Sequence, residues 1–117
     1  MNSRKVEQLS GRIRMLLADI LSREISDPRL SCISVNRVEL ASDGSFAKIF
    51  VSSYSESDLS VSERVKPLKK AAGYIRHLLS RRMEIRTVPE LRFIWDDSVK
   101  EGEQVLSLLR SLEDGRN

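Results

Sequence analysis

The sequence predicts an α+β domain of two layers, with helices on one face of a small mixed sheet. Three observations predict it. Apolar residues recur at helical spacing through the first 25 residues. Two segments of period two then flank an Asp-Gly turn, and a third follows a long basic stretch of helical period. A hairpin is antiparallel, whereas a helical crossover is long enough to return a strand in parallel, so the sheet is mixed.

The first helix is expected over roughly residues 4–25. Val6, Leu9, Ile13, Leu16, Leu17, Ile20, Leu21 and Ile25 form one apolar stripe. Asn2 or Ser3 can cap its start. Asp27-Pro28 stops it, because a residue before proline is pushed out of the helical region.

A β-branched run, Cys32 to Leu40, reads as the first strand. Its alternation slips at Asn36-Arg37-Val38, which places a bulge there. Ser42-Asp43-Gly44-Ser45 is a turn signal. Phe46 to Tyr54 is the second strand, with Ala47, Ile49 and Val51 alternating against Lys48 and Phe50. Residues 55–62 are rich in Ser, Glu and Asp and read as a loop.

The next helix buries Leu68, Ala71, Ala72, Ile75, Leu78 and Leu79. Pro67 has no amide hydrogen and belongs in its first turn or at an early kink. Gly73 lies in the helix interior, where glycine costs about 0.5–1 kcal/mol relative to alanine. Such a position points to a kink or to a close backbone approach, with tight packing on the sheet as the structural counterpart. In either case an added methyl group is expected to lower stability. Leu91, Phe93 and Trp95 then alternate through a third strand, Glu90 to Asp96. Ser98-Val99-Lys100-Glu101 is a capping box. It opens a last helix that turns Val99, Val105, Leu106, Leu109 and Leu112 inward. The order is α-β-β-α-β-α in one domain, residues 1–117, with a short flexible end from about residue 113.

About a third of the residues are charged and two fifths are apolar, a globular composition. No apolar run approaches the roughly 20 residues of a membrane span. The N-terminus lacks an apolar signal region, so a cytoplasmic location is expected. The lone Cys32 agrees, since one thiol makes no internal disulfide. The net charge of +3 conceals an asymmetry. Residues 64–86 carry eight basic side chains against the single acid Glu84, a net +7 in an otherwise acidic chain. The bland reading of such a run is a solvated helix face. The sharper one is a localised surface for a polyanion, nucleic acid foremost.

Signals for catalysis are weak. Cys32 sits among apolar strand residues, where a thiol packs as a small hydrophobe, and His77 is the only histidine. No spacing resembles a zinc site or a phosphate-binding P-loop. Asp96-Asp97 is the one pair suited to magnesium, as in a nuclease. It also stands at a helix start, where acids are stabilising. The strand aromatics Phe46, Phe50, Phe93 and Trp95 lack the pattern of a base-stacking sheet. An adaptor that pairs through the hairpin edge remains a competing reading.

The chain resembles the ribosome-binding factor A family. The resemblance is carried by Asp27-Pro28-Arg29-Leu30, by Phe46-Ala47-Lys48-Ile49-Phe50-Val51-Ser52 and by Ala71-Ala72-Gly73-Tyr74-Ile75-Arg76-His77-Leu78-Leu79. It continues through Arg86-Thr87-Val88-Pro89-Glu90-Leu91-Arg92-Phe93 and Asp96-Asp97-Ser98-Val99-Lys100-Glu101-Gly102. It implies a KH-like fold of the type II arrangement, in which Ala71-Ala72-Gly73 stands in place of a GXXG loop and kinks the basic helix. It implies a partner, the immature 30S subunit with its 16S rRNA, bound at the neck region. The implied role is late maturation, including that of the 16S rRNA 5′ end, and growth in the cold, without cutting RNA. No cofactor, metal, membrane or small-molecule substrate is expected, and the chain is expected to be a monomer. The expected RNA-binding residues are Lys66, Lys69, Lys70, Ala71, Ala72, Gly73, Arg76, His77, Arg81, Arg82 and Arg86. Arg4, Lys5 and Arg12 of the first helix join them, with Arg14 on the same helix.

Overall fold

The computed structural model describes residues 2–53 and 61–96. Helix α1 spans Ser3–Asp19. Asn2 caps it, its side-chain oxygen accepting from the Lys5 amide at 2.8 Å. The chain then widens into a π-helical turn, Ile20–Glu24. Ile20 and Leu21 are adjacent in sequence and both are fully buried. The wider turn accompanies an apolar stripe that has to keep two successive residues in the core.

Asp27-Pro28 ends that segment, and it also begins another. Asp27 is extended and N-caps a short helix α2, Pro28–Ser31, with the proline in its first turn. The sequence expectation treats the dipeptide as a stop signal alone and contains no α2.

Strand β1 is Ile33–Leu40 and β2 is Phe46–Ser53. They pair antiparallel, with a register shift between Val35 and Arg37 that leaves Asn36 as the bulge. The turn closes through Gly44, whose φ of 76° is a backbone conformation that favours glycine. Asp43 Oδ1 accepts from the Ser45 amide at 3.0 Å and from its hydroxyl at 2.7 Å. These bonds hold the Asp43 carboxyl below the usual carboxylate range, the hydroxyl contributing most.

Helix α3, Val61–Arg82, crosses over to β3, Glu90–Trp95. β3 runs parallel to β2, pairing Ala47 with Leu91 and Ile49 with Phe93. The sheet order β1-β2-β3 makes β2 central. Its Ala47, Ile49 and Val51 are fully buried beneath Leu17, Leu68, Ile75 and Leu79 in one continuous core. Each such large aliphatic side chain stabilises the fold by roughly 1.5–3 kcal/mol through burial. The α+β class and the mixed three-stranded sheet match the sequence expectation, and so does the order of the described elements apart from the added α2 and the π-helical turn.

Two details of α3 qualify that expectation. Pro67 is buried inside the helix, which excludes the first-turn placement, one of the two that the sequence offers. The helix reaches back to Val61 and so takes in the last two positions of the Ser-, Glu- and Asp-rich segment 55–62 that reads as loop. Gly73 has neither a positive φ nor a neighbour within 4 Å of a Cβ built on it. The α-helix continues through Ala71-Ala72-Gly73. Neither backbone strain nor packing among the described residues therefore requires glycine there. The expected last helix and its capping box at Ser98 lie outside the described residues.

Candidate nucleic-acid interface

The apolar face of α3 fixes what its other face can present. Leu68, Ile75 and Leu79 enter the core at helical spacing. The residues on the opposite side are Lys66, Lys69, Lys70, Gly73, Tyr74, His77 and Arg81, and all are exposed. At 3.6 residues per turn they form one stripe along the helix, four cations with Gly73, Tyr74 and His77 among them. Ala71 and Ala72 are half-buried against the core, so they do not belong to the outward stripe.

Three arginines expected on this surface have structural partners. The Arg82 guanidinium contacts Asp19 Oδ2 at 2.5 Å and also Glu24 Oε1. It clips the C-terminal end of α3 to the end of α1. The Arg82 hydrogen bond is the main reason the Asp19 carboxyl lies below its ordinary range; desolvation opposes it, and the charges of Arg23 and Arg82 add to it. Arg76 donates through Nη2 and Nε to the Val88 carbonyl at 2.6 and 3.2 Å, tying the helix to the segment before β3. Arg12 donates to the Arg82 carbonyl at 3.5 Å. Charge counting along the sequence cannot separate such braces from outward-facing cations, because the acceptors lie on other elements.

Arg86 is exposed between α3 and β3, and Arg4, Lys5 and Arg14 are exposed on α1. Arg64 lies over the Trp95 ring at 5.5 Å.

Two residues outside the expected set join this surface. Tyr74 is 56% exposed. Its signal in the sequence is its spacing, four residues from Lys70 and three from His77. Arg29 of α2 faces Lys66 and Lys70 across a cleft that Glu63 and Pro67 complete. Nothing in the local sequence announces that proximity.

The catalytic alternatives gain no geometry. Cys32 is half-buried at the C-terminal end of α2, whereas His77 is on the outward stripe. Asp96 Oδ2 accepts from Asn36 Nδ2 at 3.2 Å, and that amide also donates to the Ser52 hydroxyl at 3.0 Å. The Asn36 bulge thus ties β1 to the end of β3. Asp97 lies outside the described residues. Among the described residues no three His, Cys, Asp or Glu side chains group as metal ligands. On the open sheet face, Arg37 covers Phe50 at 4.1 Å and Arg92 covers Phe46 at 3.9 Å. Each ring already has a cationic partner.

The family model for ribosome-binding factor A matches residues 5–109, nearly the whole chain. The chain belongs to the ribosome-binding factor A family. A family member from Shewanella sediminis is 39% identical over 105 residues, which is 90% of this chain and 73% of that protein. One from Shewanella loihica is 36% identical over 90% of this chain and 75% of its own. The crystal structure of ribosome-binding factor A from Thermus thermophilus superposes with a TM-score of 0.68 at 27% identity, covering 77% of this chain and 93% of the other. The Thermus protein has also been fitted as a homology model into a cryo-EM map of a 30S complex, and those coordinates superpose with a TM-score of 0.63 at 27% identity and the same coverage.

Proposed function

We propose that this chain binds the 30S ribosomal subunit by laying the outward face of α3 against 16S rRNA. The observation that carries the reading is the exposed stripe Lys66, Lys69, Lys70, His77 and Arg81 on a helix whose other face is locked in the core. The 30S complex of the Thermus relative supports the choice of partner. Lysines and an arginine on a rigid helix neutralise phosphates and release counterions, so affinity falls steeply with salt. Exposed Gly73 leaves a gap in the side-chain layer of the stripe, where a phosphate can approach the helix backbone. Arg86, Arg4 and Lys5 extend the basic surface. Arg12, Arg76 and Arg82 act mainly as braces that hold α3 in place.

Binding favours whichever rRNA arrangement fits this surface, and by no more than its difference in affinity. On this reading the factor is a cytoplasmic monomer that acts late in subunit assembly. It sits at the neck, assists maturation of the 16S rRNA 5′ end without cutting RNA, and matters most in the cold, where misfolded RNA is slow to rearrange.

Co-sedimentation with mature and immature 30S subunits across a salt series tests the proposal. Preferential, salt-sensitive binding to immature subunits is the expected result. Equal or absent binding to both overturns it.

A further inference from the structure

Asp27-Pro28-Arg29-Leu30 lies outside the outward stripe of α3, yet it places a guanidinium beside it. Asp27 caps α2 by accepting from the Arg29 amide at 2.9 Å. The same carboxylate holds the Arg29 side chain, through Nη2 at 2.7 Å and Nε at 3.1 Å. Pro28 fixes the backbone between them. A guanidinium has five N–H donors, and this side-on pairing leaves Nη1 and the second Nη2 hydrogen for another acceptor. Arg29 remains 64% exposed.

Arg29 lines an open cleft of about 360 Å³ with Glu63, Lys66, Pro67 and Lys70 of α3. Three cations therefore converge on one concave space with a single carboxylate on its wall. Buried Pro67 provides a rigid floor. Lys66 and Lys70 also belong to the outward stripe, so the cleft is continuous with it. A planar guanidinium opposite two ammonium groups suits the tetrahedral oxygens of a phosphate.

The geometry points to this cleft as a phosphate-binding pocket, in which Arg29, Lys66 and Lys70 hold one phosphate group of the bound RNA backbone. The inference rests on the rRNA-binding reading for the source of that phosphate. Arg29 is the contacting residue that it adds, and Asp27 is its positioning residue. Glu63 opposes the ligand and tunes the affinity downward.

The experiment uses the full chain, with 30S subunits and inorganic phosphate as separate probes. Arg29→Gln is expected to weaken subunit binding several-fold and to reduce the slope of log affinity against log salt by about 0.7–0.9, the share of one neutralised phosphate. Glu63→Gln keeps the side chain's size and removes its charge, and it is expected to tighten binding. A structural role for Glu63 would not produce that gain. Inorganic phosphate should shift the NMR signals of Arg29, Lys66 and Lys70 together.

If wild type binds subunits but Arg29→Gln leaves affinity and slope unchanged, the pocket is overturned while the rRNA reading stands. If phosphate titrates the cleft and subunits do not bind, the pocket stands as a site for free phosphate and the rRNA reading falls. Should Arg29→Gln fail to fold by thermal melt, Glu63→Gln and the phosphate titration decide: no tightening and no shifts would overturn the pocket.

Discussion

Arg82, in the last turn of α3, reaches Asp19 at the end of α1 with 2.5 Å between Nη1 and Oδ2. The two residues are 63 positions apart in sequence. Glu24 completes the cluster from the π-helical turn. The pairing brings the ends of two core helices together at one edge of the domain. An arginine that charge counting assigns to RNA is thereby a brace between helices.

Replacing Arg82 with methionine keeps the aliphatic stem and removes the charge. It is expected to lower Tm by several degrees, because two carboxylates lose a shared partner. Binding by the folded protein should fall less than in Lys66 or Lys70 variants. Thermal melts beside 30S titrations check this. An unchanged Tm with a large loss of affinity would return Arg82 to the binding surface.

The same cluster predicts a pH dependence. Asp19 lies below its ordinary value of 3.8 in the folded state, chiefly through the Arg82 hydrogen bond. Asp27 is lowered too, by the Arg29 side chain and then its amide. A carboxylate that is more acidic when folded stabilises the fold fully above its unfolded pKa, and the contribution is lost as pH falls through the folded pKa. Urea midpoints should therefore hold steady down to about pH 5 and decline below about pH 4. Arg82→Met should make that acid decline shallower. An equally steep decline in the variant would show that Asp19 does not draw on Arg82.

Lys66 and Lys70 are exposed on the face of α3 that points away from the core. Changing both to glutamine should leave Tm within a degree or two and weaken 30S binding by at least tenfold near physiological salt. The salt slope should become shallower by roughly one unit for each phosphate that is no longer neutralised. A sharp drop in Tm would instead make these lysines part of the fold.

The architecture is legible in the sequence wherever one local pattern decides the outcome. The stripe from Leu9 to Leu17 specifies α1, and the Asp43-Gly44 turn specifies the hairpin. The slipped alternation around Asn36 gives the bulge its place. Elements whose signal is shared are harder to read. Asp27-Pro28 marks both the end of one helix and the start of another, and the first meaning hides the second. The surface is legible as a charge excess but not as a set of partners. Arg76, Arg82 and Arg81 look alike in sequence. Val88 and Asp19 claim the first two through bonds that only the folded chain creates, and Arg81 stays exposed. Arg29 is the converse case, a residue outside the basic segment that the short helix α2 swings into its company.

Gly73 supplies the sharpest test, because the structure reverses one half of what the sequence suggests. Glycine inside a helix is disfavoured by about 0.8–1 kcal/mol relative to alanine. A kink or a tight contact would justify it, yet the position has helical backbone and open space around a Cβ. Gly73→Ala should therefore raise Tm by a few degrees, contrary to the expectation of a destabilised fold. The site is also exposed in the middle of the basic stripe, where an added methyl group stands between the helix backbone and an approaching phosphate. The same variant should then bind 30S subunits several-fold more weakly while being the more stable protein. Opposite signs in the two measurements separate binding from folding without further variants. Higher stability with unchanged affinity would make Gly73 an ordinary helix position. Lower stability would show that a constraint within the fold, rather than the RNA, keeps glycine there.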